Sequence, residues 1–203
     1  DKALVLFLHG NAELIDDCEH EAQNWLTRGY AVLTPEYRGY GRSGGSPSQK
    51  AIIADVLECL SLACTKLTDP NLPIIIHGRS LGSGVAAQVA AELKAKGQPP
   101  ERLILESPFL SITSFSWGFG IPGFLVRDSY RTDRVLGSLT CPVLILSADA
   151  DEIVPASHGR TLADNAPDAT FKLLNGSHNS GLSYMPEYWQ AIDSFLAEQP
   201  QNQ

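Results

Sequence analysis

The chain has 203 residues, of which 43% are apolar and 19% are charged, and its formal net charge is −8. A chain of this size suits one domain with a sizeable core, and its composition is that of an ordinary globular protein. The acidic balance disfavours nucleic acid as a partner, and no apolar run approaches the roughly 18–20 residues that a membrane span needs.

Short aliphatic or β-branched runs alternate along the chain with longer patterns of helical spacing. The predicted strands cover residues 3–8, 31–34, 74–77, 103–106, 143–147 and 170–174. The predicted helices cover residues 19–28, 48–66, 81–96, 157–165 and 186–198. This alternation indicates an α/β fold with a mostly parallel sheet and helices on both faces. Right-handed crossovers then bring the loops that follow the strands to one edge of the sheet, where ligands bind.

One connection departs from this alternation, because residues 107–135 show no clear single period. Its aromatic side chains are Phe109, Phe115, Trp117, Phe119, Phe124 and Tyr130. A long aromatic insertion at the ligand-binding edge is typical of a lid, and the first four of these residues are its candidate substrate wall. A pair of packed satellite helices is the alternative. We therefore predict a single domain over residues 1–203 with a short lid or cap insertion at residues 107–135.

The G-x-S-x-G pattern occurs twice, as GRSGG at residues 41–45 and as GRSLG at residues 78–82. A nucleophilic serine in this motif needs a strand before it and a helix after it, because the sharp turn between them lifts the hydroxyl off the sheet. Ser80 has both, whereas Ser43 lies in a loop between Pro35 and Pro47. Ser80 is therefore the candidate nucleophile, and Ser43 is interpreted as a loop serine.

A serine hydroxyl needs a base to accept its proton and a third group to orient that base. Among the five histidines, His178 lies in the loop after the last predicted strand, at the ligand-binding edge, and is the candidate base. A solvated surface histidine is the alternative interpretation of this residue. His9 is interpreted as a residue that shapes the turn after the first strand, and the side chain of His77 is expected to point away from the site.

Four acidic residues compete for the third role: Asp149, Asp151, Glu152 and Glu106. All of them end or follow a predicted strand, so any of them can accept the histidine N–H, and spacing alone does not choose among them. The turn after the first strand, HGNA at residues 9–12, can offer a backbone N–H beside that of Leu81. Two such donors, each worth about 10²–10³ in rate, would stabilise a developing oxyanion. A plain tight turn is the alternative interpretation of this segment.

Taken together, these segments resemble the α/β-hydrolase family, and the likeness covers nearly the whole chain. The resemblance rests on HGNA at residues 9–12, YRGYGRS at 37–43, GRSLG at 78–82, ESPF at 106–109, DEIVP at 151–155 and GSHN at 176–179. The set is similar to the α/β-hydrolase-domain subgroup that includes protein depalmitoylases and bacterial homologues of unknown substrate. It implies the α/β-hydrolase fold. That fold usually has two strands before the strand that ends in the His-Gly turn, and these two are expected to be missing here.

The resemblance also implies roles for individual residues. They are the nucleophile Ser80, the acid Asp151, the base His178, and the backbone N–H donors Asn11 and Leu81. It favours Asp151 over Asp149, with Glu106 as second choice because some family members carry their acid at the end of that strand. A serine at position 80 excludes the aspartate nucleophile of dehalogenases and epoxide hydrolases of this fold.

The chain is thus expected to be a serine hydrolase that cleaves a carboxylic ester or thioester through an acyl-enzyme intermediate. No metal and no organic cofactor are expected, and the expected partner is a small-molecule or acylated substrate. The alternative is a binding or scaffold protein that keeps the fold without the chemistry.

The cysteines are Cys18, Cys59, Cys64 and Cys141. They form no C-x-x-C pair, and we expect structural thiols rather than metal ligands or disulfides. Free thiols favour reducing, cytoplasmic surroundings. No signal peptide is visible, and a membrane anchor would lie upstream of residue 1.

Overall fold

The computed structural model describes residues 1–67, 69, 71–114 and 126–198. At its centre, six parallel strands are arranged in the order β2-β1-β3-β4-β5-β6. The strands are β1 (Leu4–Leu8), β2 (Ala31–Leu33), β3 (Ile74–Arg79), β4 (Arg102–Glu106), β5 (Val143–Ala148) and β6 (Ala169–Leu174). The helices are α1 (Glu19–Thr27), α2 (Gln49–Cys64), α3 (Leu81–Ala95), α4 (Thr132–Val135), α5 (Ala156–Asn165) and α6 (Pro186–Ala197).

The predicted alternation of strands and helices is confirmed, and all ends of the predicted elements lie within two residues of their predicted positions. The predicted end of β3 at His77 is wrong, because this strand continues to Arg79. It continues because Gly78 and Arg79 stay in register with Leu105 and Glu106 of β4. The longer strand brings the chain directly to the turn that carries Ser80.

The two faces of the sheet bury separate apolar clusters, because successive side chains of a strand point to opposite sides. From β1, Leu4, Leu6 and Leu8 enter the cluster on the side of α2, α3 and α5. The alternate residues Ala3 and Val5 point to the opposite face and enter the cluster formed with α1 and α6. Each large apolar side chain buried in this way stabilises the fold by about 1.5–3 kcal/mol relative to exposure.

Local signals fix where individual helices begin and end. The Ser48 hydroxyl accepts the backbone N–H of Ala51 at 3.3 Å and so caps α2. Gly29 and Gly97 follow α1 and α3 at positive φ, 85° and 74°, a conformation that glycine adopts without strain. Within the described parts of the chain, none of the helices has the length and hydropathy of a membrane-spanning segment.

All four cysteines are free thiols, as expected, and Cys18 and Cys141 are buried. The structure describes only the two ends of the aromatic insertion, residues 107–114 and 126–135. Within them, Phe109 and Tyr130 are buried in the cluster beside α3. The predicted wall residues Phe115, Trp117 and Phe119 lie outside the described residues, as does Phe124, so the lid stays a prediction.

Candidate active site

Ser80 occupies a strained turn between β3 and α3. Its φ and ψ are 52° and −117°, in a region that residues other than glycine rarely adopt. Glycines flank the turn because a Cβ at Gly82 would lie 2.0 Å from the Leu8 carbonyl oxygen, and one at Gly78 would lie 2.3 Å from that of Gly82. The backbone N–H of Ser80 donates to the Glu106 carbonyl oxygen at 2.9 Å. This turn holds the serine side chain at the carboxyl edge of the sheet.

Ser80 contacts His178, and His178 contacts Asp151. The Ser80 Oγ lies 2.9 Å from His178 Nε2, and His178 Nδ1 lies 2.8 and 2.9 Å from the two carboxylate oxygens of Asp151. The backbone N–H of His178 also donates to Glu152 at 3.2 Å, which ties the loop after β6 to the loop after β5. Loops that follow three different parallel strands therefore bring these three side chains together.

The Asp151 carboxylate lies in surroundings that favour its charged form. Its side chain is 1% exposed and accepts the backbone N–H groups of Ile153 and Val154 at 3.0 and 2.7 Å. Burial raises the pKa of Asp151, but the hydrogen bonds from His178 and from these two N–H groups outweigh burial and hold the pKa below its ordinary value. Asp151 is therefore an ionised acceptor for the Nδ1–H of His178.

Glu106, the second-choice acid, lies elsewhere. Its side chain is buried, and one carboxylate oxygen accepts the hydroxyl of Tyr188 at 2.7 Å. Burial raises the pKa of Glu106 despite the opposing effects of the Arg79 charge and the Tyr188 hydrogen bond. The histidine near this carboxylate is His77, with 4.0 Å between Nε2 and the carboxylate oxygen. The structure thus brings Asp151, rather than Glu106, to His178.

His77 lies on the face of the sheet covered by α1 and α6, away from Ser80, as the sequence analysis expected. The indole N–H of Trp25 only donates, so the His77 Nδ1 that faces it at 3.3 Å is the acceptor. The ring proton is then on Nε2, which donates to the Tyr188 hydroxyl oxygen at 2.9 Å. Burial, and then the charge of Arg79, lower the pKa of His77 to about 3. This histidine is a neutral structural residue.

Two backbone segments lie close to Ser80: the start of α3 and the turn after β1. Leu81 is the first residue of α3, and the first N–H groups of a helix have no intrahelical partner. The turn after β1 faces it, since a Cβ at Gly10 would lie 3.6 Å from the Ser80 Cβ. The Tyr40 hydroxyl donates to the side-chain oxygen of Asn11 at 2.6 Å. The structure therefore places the predicted donor residues, Asn11 and Leu81, beside Ser80.

A half-buried ion-pair cluster next to Ser80 was not predicted from the sequence. Arg79 donates from Nε to Glu13 at 3.1 Å and from Nη1 to Glu21 at 2.7 Å. Burial lowers the pKa of Arg79, but the charges of Glu106, Glu13 and Glu21 raise it by more, so the guanidinium stays charged. These acids lie 58–66 residues away along the chain, and no local pattern indicates the pairing.

A cavity of about 470 Å³ opens over Ser80. Its polar lining among the described residues comes from Asn11, Glu13, Arg79, Ser80, His178 and Asn179. Its apolar lining includes Leu81, Phe109, Ile112, Ile153 and Val154. Phe109, one of the four predicted wall residues, lines this cavity. The apolar side of the cavity has the chemistry to receive a hydrocarbon group bonded to a carbonyl at Ser80.

Ser43 lies in the loop after β2 and not in the lining of this cavity. It borders a separate open depression with Arg38 and Asp55, which form an ion pair. The G-x-S-x-G match at residues 41–45 therefore has neither the strand-to-helix turn nor a contact with His178.

A strand–serine–helix turn at the carboxyl edge of a parallel sheet is the arrangement of the α/β-hydrolase class, and solved structures support this assignment. An α/β hydrolase from Vibrio vulnificus superposes with a TM-score of 0.81 at 25% identity, covering 95% of this chain and 73% of that one. Est1E from Butyrivibrio proteoclasticus, solved with ferulic acid bound, has a TM-score of 0.77 at 19% identity, with 97% of this chain and 90% of that one covered.

A family model described as Hydrolase_4, serine aminopeptidase S33, matches residues 1–125, and the chain belongs to this family of α/β-hydrolase serine hydrolases. The lysophosphatidylserine lipase ABHD12 of Danio rerio is 36% identical over 193 residues, 85% of this chain and 49% of the relative. Its Mus musculus counterpart is 33% identical over 209 residues, 92% of this chain and 52% of the relative. The chain thus spans about half the length of these relatives.

Proposed function

We propose that this chain hydrolyses a carboxylic ester or thioester, with Ser80 as nucleophile and an acyl-enzyme as intermediate. The observation that carries the proposal is the sequence of contacts from Ser80 Oγ to His178 Nε2 at 2.9 Å and from His178 Nδ1 to Asp151 at 2.8 Å. A hydroxyl, a base and an orienting carboxylate in this order are the parts that nucleophilic acyl transfer requires.

In the first step, His178 Nε2 accepts the Ser80 hydroxyl proton while Oγ forms a bond to the substrate carbonyl carbon. Asp151 accepts the Nδ1–H, which keeps the lone pair of the neutral ring on Nε2 and stabilises the imidazolium that forms. The acceptor role of Asp151 is supported by its two backbone hydrogen bonds, which leave its carboxylate ionised and oriented.

The carbonyl oxygen gains negative charge as the tetrahedral intermediate forms. In this proposal the backbone N–H groups of Asn11 and Leu81 donate to that oxygen, each lowering the barrier by an amount worth about 10²–10³ in rate. His178 then gives its proton to the departing alkoxide or thiolate. A water molecule, deprotonated by His178, releases the acyl group from Ser80 and restores the enzyme.

The lining of the cavity favours an acyl group of apolar character. Phe109, Ile112, Ile153 and Val154 form one side of the space over Ser80, where burial of each methylene is worth about 0.8 kcal/mol. Because relatives are named lysophosphatidylserine lipases, a lysophospholipid acyl ester is the first substrate to test. No described residue other than Ser80 and His178 is assigned a covalent or proton-transfer step.

Two serine variants test the proposal as a matched pair, because Ser80 and Ser43 occupy the two matches to one motif. We expect Ser80→Ala to lose hydrolysis of short p-nitrophenyl esters by about 10⁴-fold or more, and Ser43→Ala to keep it within about twofold. Circular dichroism checks that both variants are folded. Activity that survives Ser80→Ala, or that is lost in Ser43→Ala, overturns the assignment.

The same assay separates ester hydrolysis from two other activities. An aminopeptidase would hydrolyse aminoacyl p-nitroanilides faster than esters, and a scaffold protein would hydrolyse neither. We expect esters to be favoured, and a series from acetyl to dodecanoyl esters to give a higher kcat/KM as the acyl chain lengthens until it fills the cavity. A kcat/KM that declines with every added methylene contradicts the apolar acyl site.

A further inference from the structure

One peptide group, which joins Gly10 to Asn11, decides whether the Asn11 N–H faces the space over Ser80. We propose that His9 is a positioning residue that holds this peptide in the donating orientation, and that Glu36 holds the His9 ring in place. The inference rests on the proposed function, because it concerns a donor to the oxyanion. His9 itself touches no substrate, since its side chain is fully buried and absent from the cavity lining.

The first contact of His9 is with the next residue. Its Nδ1 lies 2.9 Å from the Gly10 carbonyl oxygen. A carbonyl oxygen only accepts, so Nδ1 carries a proton and donates it. In a planar trans peptide the C=O and the N–H point in opposite directions. Because the Gly10 C=O points inward to the buried ring, the Asn11 N–H of the same peptide points the other way, to the cavity side of the turn.

The ring and the backbone of His9 are both held by Tyr37. The two rings stack with centroids 4.1 Å apart and planes 30° from parallel. The buried Tyr37 hydroxyl donates to the His9 carbonyl oxygen at 3.0 Å. Tyr37 thus fixes the position of the ring. It makes no hydrogen bond to either ring nitrogen, so it does not determine which nitrogen carries a proton.

Glu36 contacts the other ring nitrogen, Nε2. His9 Nε2 lies 3.1 Å from a Glu36 carboxylate oxygen, and neither atom has an aligned hydrogen-bond partner among the described residues. Since Nδ1 already donates to Gly10, two lone pairs would face each other here unless a proton sits on Nε2 or on the carboxyl group. With that proton the contact is attractive, and it opposes rotation of the ring away from Gly10.

The other atoms of the turn are held independently of His9. The Gly10 N–H donates to Glu13 at 2.6 Å, and Glu13 is itself paired with Arg79. The Asn11 side chain accepts from Tyr40. The Gly10 carbonyl oxygen is the one polar atom of the peptide before Asn11 that depends on the His9 ring, so it is the contact to break.

Two substitutions at His9 each keep one of its contacts. An asparagine amide nitrogen occupies nearly the position of Nδ1, so His9→Asn keeps the donor to Gly10 and loses the contact with Glu36. A glutamine amide nitrogen reaches nearly the position of Nε2, so His9→Gln keeps the Glu36 contact and loses the donor to Gly10. His20→Gln is the control for a histidine substitution that touches none of this turn, because His20 is a half-buried residue of α1 whose Nε2 lies 2.9 Å from the Ser183 carbonyl oxygen.

The expected result is a split between these variants in ester hydrolysis. We expect His9→Gln to lower kcat by about 10²-fold with KM changed by less than about threefold, because a donor used only in the transition state is misdirected. His9→Asn is expected to stay within about tenfold of wild type, and His20→Gln within about twofold. A trifluoromethyl ketone, which adds to serine as a tetrahedral adduct, should lose affinity in His9→Gln by the same factor as kcat/KM.

Other outcomes overturn the inference. They are an equal loss in both His9 variants, an activity of His9→Gln like that of wild type, and a loss confined to KM. If a His9 variant does not fold, a long-range ¹H–¹⁵N spectrum of the wild-type protein decides, with His9 assigned through its contact with the Tyr37 ring. A proton on His9 Nδ1 supports the inference, and its absence overturns it. A wild-type protein without ester hydrolysis would instead refute the proposed function.

Discussion

One histidine–carboxylate pair lies beside Ser80 at the carboxyl edge of the sheet and another lies under α1 and α6, and the two differ in what the histidine nitrogens contact. In the first pair, His178 Nδ1 contacts Asp151 and Nε2 faces the Ser80 hydroxyl at the wall of an open cavity. In the second pair, His77 receives the Trp25 N–H and donates to Tyr188, which in turn donates to Glu106, all of it buried. The residue types are the same, but only the first pair has a nitrogen directed at a potential nucleophile.

The difference shows that burial and partners, rather than the presence of a histidine and an acid, decide which pair can do chemistry. Both nitrogens of His77 are occupied in one neutral tautomer, and burial strongly disfavours its protonation. His178 has one nitrogen held by an ionised carboxylate and the other at the hydroxyl. The predictions below test this contrast, from the largest expected effect to the smallest.

The strongest test exchanges the two acids for their amides. Asp151→Asn is expected to lower kcat by about 10⁴-fold, because an amide N–H in place of the acceptor favours the wrong tautomer of the base. Glu106→Gln keeps an oxygen that accepts from Tyr188, and its kcat is expected to stay within about tenfold of wild type. Steady-state hydrolysis of p-nitrophenyl esters measures both. A larger loss in Glu106→Gln than in Asp151→Asn would falsify the assignment of the acid.

The second test uses the dependence of stability on pH. The pKa of His77 is about 3 in the folded protein, and an unfolded histidine titrates near about 6.5. Between these values the unfolded state binds more protons, so the free energy of unfolding falls as the pH drops from about 6.5 toward 3. The slope from this group is at most about 1.4 kcal/mol per pH unit. His77→Gln is expected to have a shallower slope.

Urea unfolding of wild type and His77→Gln at several pH values between about 7 and 4.5 measures this difference. His158, whose pKa is also lowered by burial, adds a slope of the same sign to both proteins. Glu106, whose pKa is raised, adds a slope of the opposite sign above its unfolded value. Because both groups remain in the variant, they largely cancel in the comparison. Equal slopes would show that His77 is not the buried neutral group described here.

A third test removes the link between His77 and Glu106. Tyr188→Phe leaves the His77 Nε2–H and the Glu106 carboxyl group without their shared partner, which is expected to cost about 1–3 kcal/mol of unfolding free energy. Tyr184→Phe is the matched control, since Tyr184 is 70% exposed and its change is expected to lie within about 0.5 kcal/mol. Thermal or urea unfolding measures both. A loss of unfolding free energy in Tyr188→Phe no larger than in Tyr184→Phe would show that the Tyr188 hydroxyl does not stabilise the fold by linking His77 to Glu106.

The smallest effect is expected at Tyr40, whose hydroxyl bonds the Asn11 side chain in the turn beside Ser80. Tyr40→Phe removes the 2.6 Å hydrogen bond to the Asn11 side chain and leaves the backbone of the turn in place. We expect kcat for ester hydrolysis to fall about 2–10-fold, the equivalent of about 0.5–1.5 kcal/mol for one hydrogen bond. An unchanged kcat would show that the Asn11 side chain does not steady the oxyanion donor.

Much of this arrangement was predictable from the sequence because it depends on local pattern. Six aliphatic runs separated by helical patterns predicted the sheet, and the strand before Ser80 with the helix after it separated this serine from Ser43. The position of His178 after the last strand likewise made it the candidate base among the five histidines. These features follow from the periodicity of apolar residues, from the placement of glycines and from the rule that the carboxyl ends of parallel strands lie at one edge of the sheet.

The parts that escaped prediction depend on distance in space rather than on local pattern. Asp151 stood out from Asp149, Glu152 and Glu106 only through the family resemblance, because four acids near strand ends look alike until their side chains are placed. The pairing of Arg79 with Glu13, and that of His9 with Glu36, joins segments that no periodicity connects. The end of β3 was misplaced for a similar reason, since its last two residues are held by pairing with β4.

The central claim is that Ser80 is the nucleophile, and a fluorophosphonate tests it most directly because it bonds covalently to an activated serine hydroxyl. The protein is titrated with the reagent while ester hydrolysis is followed, and the modified peptide is identified by mass spectrometry. The account predicts one modification, on the peptide that contains Ser80, and a loss of activity in proportion to it. Modification of another residue, or full activity in a protein modified completely at Ser80, would contradict the account.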